Sequence, residues 1–210
     1  MSFEHGASPD VAALNAGMSQ SVSCRYNAGM RQVLRLHPDS LCFAATHVEA
    51  EVARPRAGSL VLCYFVTGKI GDMRMPTVVA AARADELWRH TCFEAFVRLS
   101  SGAEYYEFNF APSTRWAAYR FSGYRSGMCV ATEISVHRIE VQSSPECYTL
   151  QASLELDRLW GLPHDAGWQF GLSAVIEETN GCKSYWALAH PPGEADFHHS
   201  DCFAHEVSPA

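Results

Sequence analysis

The most constraining feature of this sequence is a period of two in its apolar side chains. The clearest case is the alternation Tyr148, Leu150, Ala152, Leu154 and Leu156. Successive side chains of a β-strand point to opposite faces of a sheet, so this pattern predicts a strand with one buried face.

Further strand-like runs fill the chain between residues 31 and 207, separated by turns rich in Gly, Pro and Ser. The run Leu60 to Thr67 is apolar throughout, which predicts a strand buried on both faces. Between Val136 and Ile139 the apolar parity shifts, which indicates a β-bulge. Helical turns are expected only at residues 85–88 and 157–160. The pattern predicts an all-β, antiparallel β-sandwich of about ten strands, immunoglobulin-like or jelly-roll-like.

Composition and charge limit the domain organisation and the partners. The 210 residues are 48% hydrophobic, which is enough for one large core, and the formal net charge of −7 comes without any basic run. Nucleic-acid binding is therefore not expected. No apolar stretch is long enough to span a membrane. We predict a flexible extension at residues 1–29 and a single domain at residues 30–210, with Met30 as an alternative translation start.

The cysteines and the N-terminal residues predict a cytoplasmic protein. The eight cysteines are scattered, without a C-x-x-C pair, and the first residues lack the basic and apolar regions of a signal peptide. Such a protein is expected to keep its thiols reduced and to contain no disulfides.

Motifs of the common enzyme classes do not occur in the sequence. It lacks G-x-x-x-x-G-K, G-x-G-x-x-G, G-x-S-x-G and H-E-x-x-H. This favours a binding protein over an enzyme.

Three segments are dense in aromatic, charged and histidine residues. They read DELWRHTCFEAF (85–96), YYEFNFAPSTRWAAYRFSGYRSGM (105–128) and SYWALAHPPGEADFHHSDCF (184–203). In these segments the chain resembles bacterial DOMON-like proteins related to family-9 carbohydrate-binding modules, with Ala195 in place of a usual proline. The resemblance covers roughly residues 30–207. It implies a β-sandwich with a ligand site on or near one sheet, and no established reaction.

The resemblance also implies which residues hold a sugar. Trp88 and Trp186 resemble the two tryptophans that enclose the sugar ring, and Glu94 and Arg115 resemble the carboxylate and the arginine that bind its hydroxyls. Indole rings stack on the C–H face of a pyranose, and charged groups bind its rim. The alternative is that both tryptophans belong to the core while Glu94 and Arg115 form an internal ion pair.

The histidines suggest a second function, a metal-dependent enzyme or a metal-binding protein. His90, His198, His199 and Asp201 are ligand types that zinc accepts. Adjacent strand residues point to opposite faces, so His198 and His199 can share a site only within a loop. The alternative is a set of hydrogen-bonded histidines that tie the C-terminal segment to the sheet.

Haem is a third hypothesis, because some DOMON domains hold a b-type haem between Met and His. Met73, Met75 or Met128 together with His190 would supply these ligand types. Core methionines more often fill gaps, so we expect no cofactor. The favoured prediction is a non-catalytic module for a glycan or another small polar ligand, with the oligomeric state left open.

Overall fold

The computed structural model describes residues 30–157, 159, 161–163 and 165–209. The predicted extension at residues 1–29 lies outside this part of the chain. The described residues form thirteen strands. They are β1 (Gln32–Leu36), β2 (Ala45–Ala53), β3 (Ser59–Gly68), β4 (Ala82–Arg83), β5 (Cys92–Leu99), β6 (Tyr105–Phe110), β7 (Arg115–Phe121), β8 (Cys129–Val130), β9 (Ser135–Ser143), β10 (Cys147–Glu155), β11 (Trp168–Glu177), β12 (Lys183–Ala187) and β13 (His205–Val207).

The strands form one curled, mixed sheet. Its order is β4-β7-β6-β5-β11-β12-β1-β2-β3-β10-β9, with β13 paired to β11 and β8 paired to β7. The pairing of β4 with β7 is parallel, and the other strand pairings are antiparallel. The predicted all-β class is confirmed. The predicted antiparallel sandwich is not confirmed, because the hydrogen-bonded path is continuous and contains a parallel pair.

Strand β1 connects the two halves of the sheet. Gln32 to Leu34 pair with β2, while Arg35 and Leu36 pair with β12. The two halves curl over one core, in which the ring of Phe93 from β5 lies 5.1 Å from that of Tyr64 and 5.8 Å from that of Tyr148. The core is therefore shared by strands from both halves.

Several local predictions are confirmed. Strand β3 is buried on both faces over most of its length. The register between β10 and β9 shifts so that Ser153 pairs with Arg138 and Leu154 with Val136, which places the bulge at His137. The helical turn predicted at residues 85–88 is a 3-10 turn at Leu87–Arg89.

Two more 3-10 turns, at Ile70–Asp72 and Ser200–Cys202, complete the regular structure of the described chain. The turn predicted at residues 157–160 includes positions outside the described residues. In the part of the chain that the structure describes, we find no helix with the length and hydropathy of a membrane span.

The cysteines correct one expectation. Cys63 in β3 is disulfide-bonded, contrary to the prediction of a protein without disulfides. The free thiols of the described chain belong to Cys42, Cys92, Cys129, Cys147, Cys182 and Cys202.

Candidate ligand-binding site

A cleft of about 470 Å³ opens on the sheet face that lies opposite the core, and we call this surface the cleft face. Alternate side chains of β5, β6, β7, β11 and β12 point to it, because neighbours along a strand face opposite ways. The floor and walls of the cleft are formed by Trp88, Glu94, Glu107, Phe121, Arg125, Met128, Val175, Tyr185, Ala195, Phe197 and His198.

A row of buried polar side chains crosses the cleft face. Glu94 of β5 pairs in register with Ser173 of β11 on one side and with Asn109 of β6 on the other. All three residues are at most 4% exposed. Glu94 Oε1, Asn109 Oδ1 and Ser173 Oγ have no hydrogen-bond partner within the described structure. A buried polar atom without a partner is costly, so this row is an unusual feature to find beside a cleft.

A second carboxyl group lies on the cleft face next to this row. Glu107 is two residues before Asn109 on β6, and its Oε1 accepts a hydrogen bond of 2.6 Å from Asn109 Nδ2. Burial raises the pKa of Glu107 to about 7. Burial, followed by the charge of Glu107, raises the pKa of Glu94 well above its ordinary value. The cleft floor therefore carries two carboxyl groups that are hard to ionise together.

Arg125, whose positive charge favours the ionised forms of both carboxyls, is held at the wall of the cleft. The guanidinium of Arg125 binds Asp196 Oδ1 through Nη2 at 2.7 Å and through Nε at 3.2 Å. Tyr124 donates its hydroxyl proton to the other oxygen of the same carboxylate. The loop between β7 and β8 is thereby joined to the segment that precedes the 3-10 turn at Ser200–Cys202.

His198 forms part of the same wall. The hydroxyl of Tyr105 lies 2.8 Å from His198 Nδ1 and itself accepts the N–H of Arg125 at 3.2 Å. The hydroxyl proton is therefore available to Nδ1, and Nε2 faces Glu107 Oε2 at 3.8 Å. Burial, and then the charge of Arg125, lower the pKa of His198 to about 4. The ring is neutral at physiological pH.

Trp88 stands at the rim of the cleft. It lies in the 3-10 turn that follows Glu86, whose φ of 61° is left-handed. Its ring packs edge-on against Tyr119, with 6.2 Å between the ring centroids, and 38% of the residue is exposed. The Tyr119 hydroxyl in turn donates a hydrogen bond of 2.6 Å to Asp85, just before the turn. The indole is thus held against Tyr119 at the rim and remains partly exposed to solvent.

The structure brings together two of the four residues that were predicted to bind a sugar. Trp88 and Glu94 both line the cleft. Arg115 begins β7 on the cleft face by strand alternation, but it is not among the lining residues. Trp186 is 5% exposed in the core and donates its indole N–H to Ser184 Oγ at 3.0 Å. Its neighbour Tyr185 lines the cleft instead, because the two side chains point to opposite faces of β12.

Of the four predicted metal ligands, His199 and Asp201 contact each other, whereas His90 and His198 contact other residues. His90 Nδ1 lies 2.7 Å from Glu177 Oε2, whereas His198 contacts Tyr105. His199 Nδ1 accepts the backbone N–H of Asp201 at 3.3 Å. Over the described residues, no group of three or more His, Cys, Asp or Glu side chains is arranged to hold a metal ion.

The candidate haem ligands occupy different environments. Met73 is buried in the main core, Met75 packs against that core, and Met128 is exposed at the cleft. His190 Nε2 lies 2.8 Å from the carbonyl oxygen of Arg35. These candidate haem ligands therefore lie in different surroundings and do not line one common pocket.

Comparison with solved structures supports the fold. A protein from Bacteroides uniformis ATCC 8492, provisionally named as carbohydrate-binding, shares 13% identity over 82% of this chain and 83% of its own, with a TM-score of 0.57. A family-9 carbohydrate-binding module from Caldicellulosiruptor kristjanssonii in complex with cellotriose shares 10% identity over 79% of this chain and 75% of its own, with a TM-score of 0.46. The same organism's family-9 module with glucose shares 10% identity over 84% of both chains, with a TM-score of 0.45.

These structural neighbours are carbohydrate-binding proteins and include family-9 modules, while the DOMON-like part of the resemblance is not confirmed. No protein-family model matches the sequence, and no curated protein matches it.

Proposed function

We propose that this protein binds a carbohydrate, or a related small polar ligand, in the cleft described above, and that it does so without catalysis. The observation that carries the proposal is the row formed by Glu94, Asn109 and Ser173 beside an exposed indole. Glu94 is the member of this row that lines the cleft, and a ligand that hydrogen-bonds to its buried Oε1 stabilises an atom that otherwise has no partner within the described structure. Sites for small ligands typically combine such polar groups with apolar walls.

The chemistry of a pyranose fits the two parts of this cleft. Trp88 offers a flat apolar surface at the rim, on which the C–H face of a sugar ring stacks. Glu94 at the floor offers its Oε1, which has no partner within the described structure, for a hydrogen bond with a ring hydroxyl. Tyr185 and Phe197 supply the remaining apolar wall. The second stacking ring is thus assigned to Tyr185 and not to Trp186.

The comparisons agree with this proposal at a coarser level. The Bacteroides uniformis neighbour shares the fold, and its provisional name gives carbohydrate binding as its function. We infer that this chain binds its ligand on the cleft face, with a site built from its own residues.

Calorimetric titration of the protein with glucose and with cellotriose tests the proposal. We expect saturable binding by at least one of these sugars, and its loss in Trp88→Ala. The matched control is Phe43→Ala, which removes an aromatic ring that is 72% exposed and is not part of the cleft. If no sugar binds, or if Phe43→Ala weakens binding as much as Trp88→Ala, the proposed site is wrong.

A further inference from the structure

The hydrogen-bonding groups of the cleft floor are unbalanced towards acceptors. Asn109 donates its amide N–H to Glu107, which leaves its Oδ1 as the unused group. Glu94 contributes the unused Oε1, which accepts when the carboxyl is ionised. The hydroxyl of Ser173 can act in either role, and so can a carboxyl group that holds a proton. When the carboxyls are ionised, a ligand that satisfies these groups has to bring several donors to one place.

The charges at the floor are unbalanced in the same direction. Glu94 and Glu107 lie on neighbouring strands of the cleft face, and the cation at the wall, Arg125, is already paired with Asp196. His198 faces Glu107 but is neutral at physiological pH.

Several charged groups on the surrounding elements have partners of their own. In the turn before β5, Arg89 pairs with Glu86. At the far end of β11, Glu177 pairs with Arg74 and His90. Further side chains that border the floor are the ionisable groups of Cys92 on β5, Tyr105 on β6, Tyr119 and Arg115 on β7, and Tyr185 on β12. Three positively charged residues also lie on this face by strand alternation, Arg98 on β5, Arg115 on β7 and Lys183 on β12, and all three lie outside the cleft lining.

We propose that the cleft selects a ligand with a protonated amine, such as an amino sugar, and places its ammonium group against Glu94 and Glu107. This inference rests on the proposed function, because it assigns a ligand class to the same cleft. An ammonium group offers three donors and a positive charge, whereas a sugar hydroxyl offers one donor and no charge.

The ionisation of the two carboxyls gives the proposal a measurable consequence. Burial raises the pKa of both groups, so each holds its proton more tightly than an exposed carboxyl does, and Glu107, with a pKa of about 7, is partly protonated at neutral pH. A cation beside them favours their charged forms, so binding of the ammonium ligand releases protons. Acidification from pH 7 to pH 5 protonates Glu107 and removes the preference for the amine.

The test is a calorimetric titration of the full chain with glucosamine, glucose and N-acetylglucosamine. At pH 7 we expect glucosamine to bind at least about tenfold more tightly than the two neutral sugars, as a charge-assisted hydrogen bond allows. The ratio should fall towards one at pH 5. Titrations at pH 7 in two buffers of different ionisation enthalpy should show proton release with glucosamine alone.

Two variants show whether the preference for glucosamine depends on the carboxyl at the cleft floor or on the overall charge of the protein. Glu94→Gln should bring the ratio of glucosamine to glucose affinity close to one. Glu146→Gln, which alters an exposed carboxyl in the turn between β9 and β10, should leave the ratio unchanged. The pH dependence of the ratio in the unaltered protein is a measurement that does not depend on how well either variant folds.

The outcomes distinguish this inference from the function on which it rests. If glucose binds as tightly as glucosamine at both pH values, the preference for an amine is wrong while carbohydrate binding stands. If neither these sugars nor cellotriose bind, the proposed function itself is wrong. If the ratio in Glu94→Gln equals that of the unaltered protein, the ammonium group does not lie at this floor.

Discussion

Trp186→Ala should mainly reduce the stability of the protein, whereas Trp88→Ala should mainly reduce its binding of the ligand. Trp186 is 5% exposed and packs in the core, so Trp186→Ala removes a large buried ring and leaves a cavity. Such truncations cost about 3–5 kcal/mol. The loss should lie near the upper end, because Ser184, which is 1% exposed, also loses the indole N–H that it accepts.

Trp88→Ala should cost much less. The residue is 38% exposed and lies at the open rim, so water fills the space of the ring and no closed cavity forms. We expect a loss of about 1–2 kcal/mol, mainly from the contact with Tyr119.

Urea denaturation measures both changes. With a slope of about 2 kcal/mol per molar urea, Trp186→Ala should lower the midpoint by about 2 M and Trp88→Ala by less than about 1 M. Sugar binding should persist in folded Trp186→Ala and disappear in Trp88→Ala. The assignment of the two rings is refuted if Trp88→Ala is the more destabilising change, or if Trp186→Ala abolishes binding without loss of stability.

Three further changes test the fold and the cleft. Gly68→Ala should destabilise the protein by about 2 kcal/mol or more, because φ at this position is 154° and the new Cβ would lie 2.0 Å from the carbonyl oxygen of Ala44. Thermal unfolding measures the change, and Gly71→Ala is the control because no atom lies within 4 Å of the Cβ that it adds. In Glu107→Gln the free energy of unfolding should fall between pH 7 and pH 4, and this fall should exceed that of the unaltered protein by about 3 kcal/mol. The pKa of Glu107 is about 7 in the folded protein and ordinarily 4.5, so this group stabilises the fold below pH 4.5 and the contribution is lost as the pH rises to 7. The pKa of His198 is about 4 in the folded protein and ordinarily 6.5, so this group stabilises the fold above pH 6.5 and the contribution is lost as the pH falls to 4. The variant keeps only the contribution of His198, and urea titrations across this pH range measure the difference. Metal analysis of the purified protein should find no stoichiometric zinc, since His90 and His198 contact residues other than the pair His199 and Asp201, and one bound zinc per chain would overturn this expectation.

The strands could be predicted because their side chains report directly on burial. The alternation in β10 matches a strand with Leu150 and Leu154 on its buried face, and the parity shift in β9 located a real bulge. The way the strands join into one sheet could not be predicted. It depends on β1 dividing its hydrogen bonds between β2 and β12, and no local pattern in five residues reports this division.

The candidate site could be predicted only in part for a similar reason. Trp88 and Glu94 lie close in sequence, so a turn followed by a strand fixes their relation. In β12, however, aromatic residues occupy both faces at Tyr185 and Trp186, and the register with β11 decides which one is buried. Arg125 reaches the cleft from a loop at a left-handed φ of 49°, a conformation without a periodic signal.

The division of β1 between two partners also has a consequence for the order of events during synthesis. Arg35 pairs with Ala187, so the sheet is joined only after a ribosome has made nearly all of the described chain. Contacts between such distant residues form slowly, because a long loop has to close first. The cleft floor includes side chains of β11 and β12, which are made in the same late interval. A nascent chain that ends before β12 therefore has neither a joined sheet nor a complete cleft, and ligand capture by stalled chains of increasing length would report the moment at which the sheet closes.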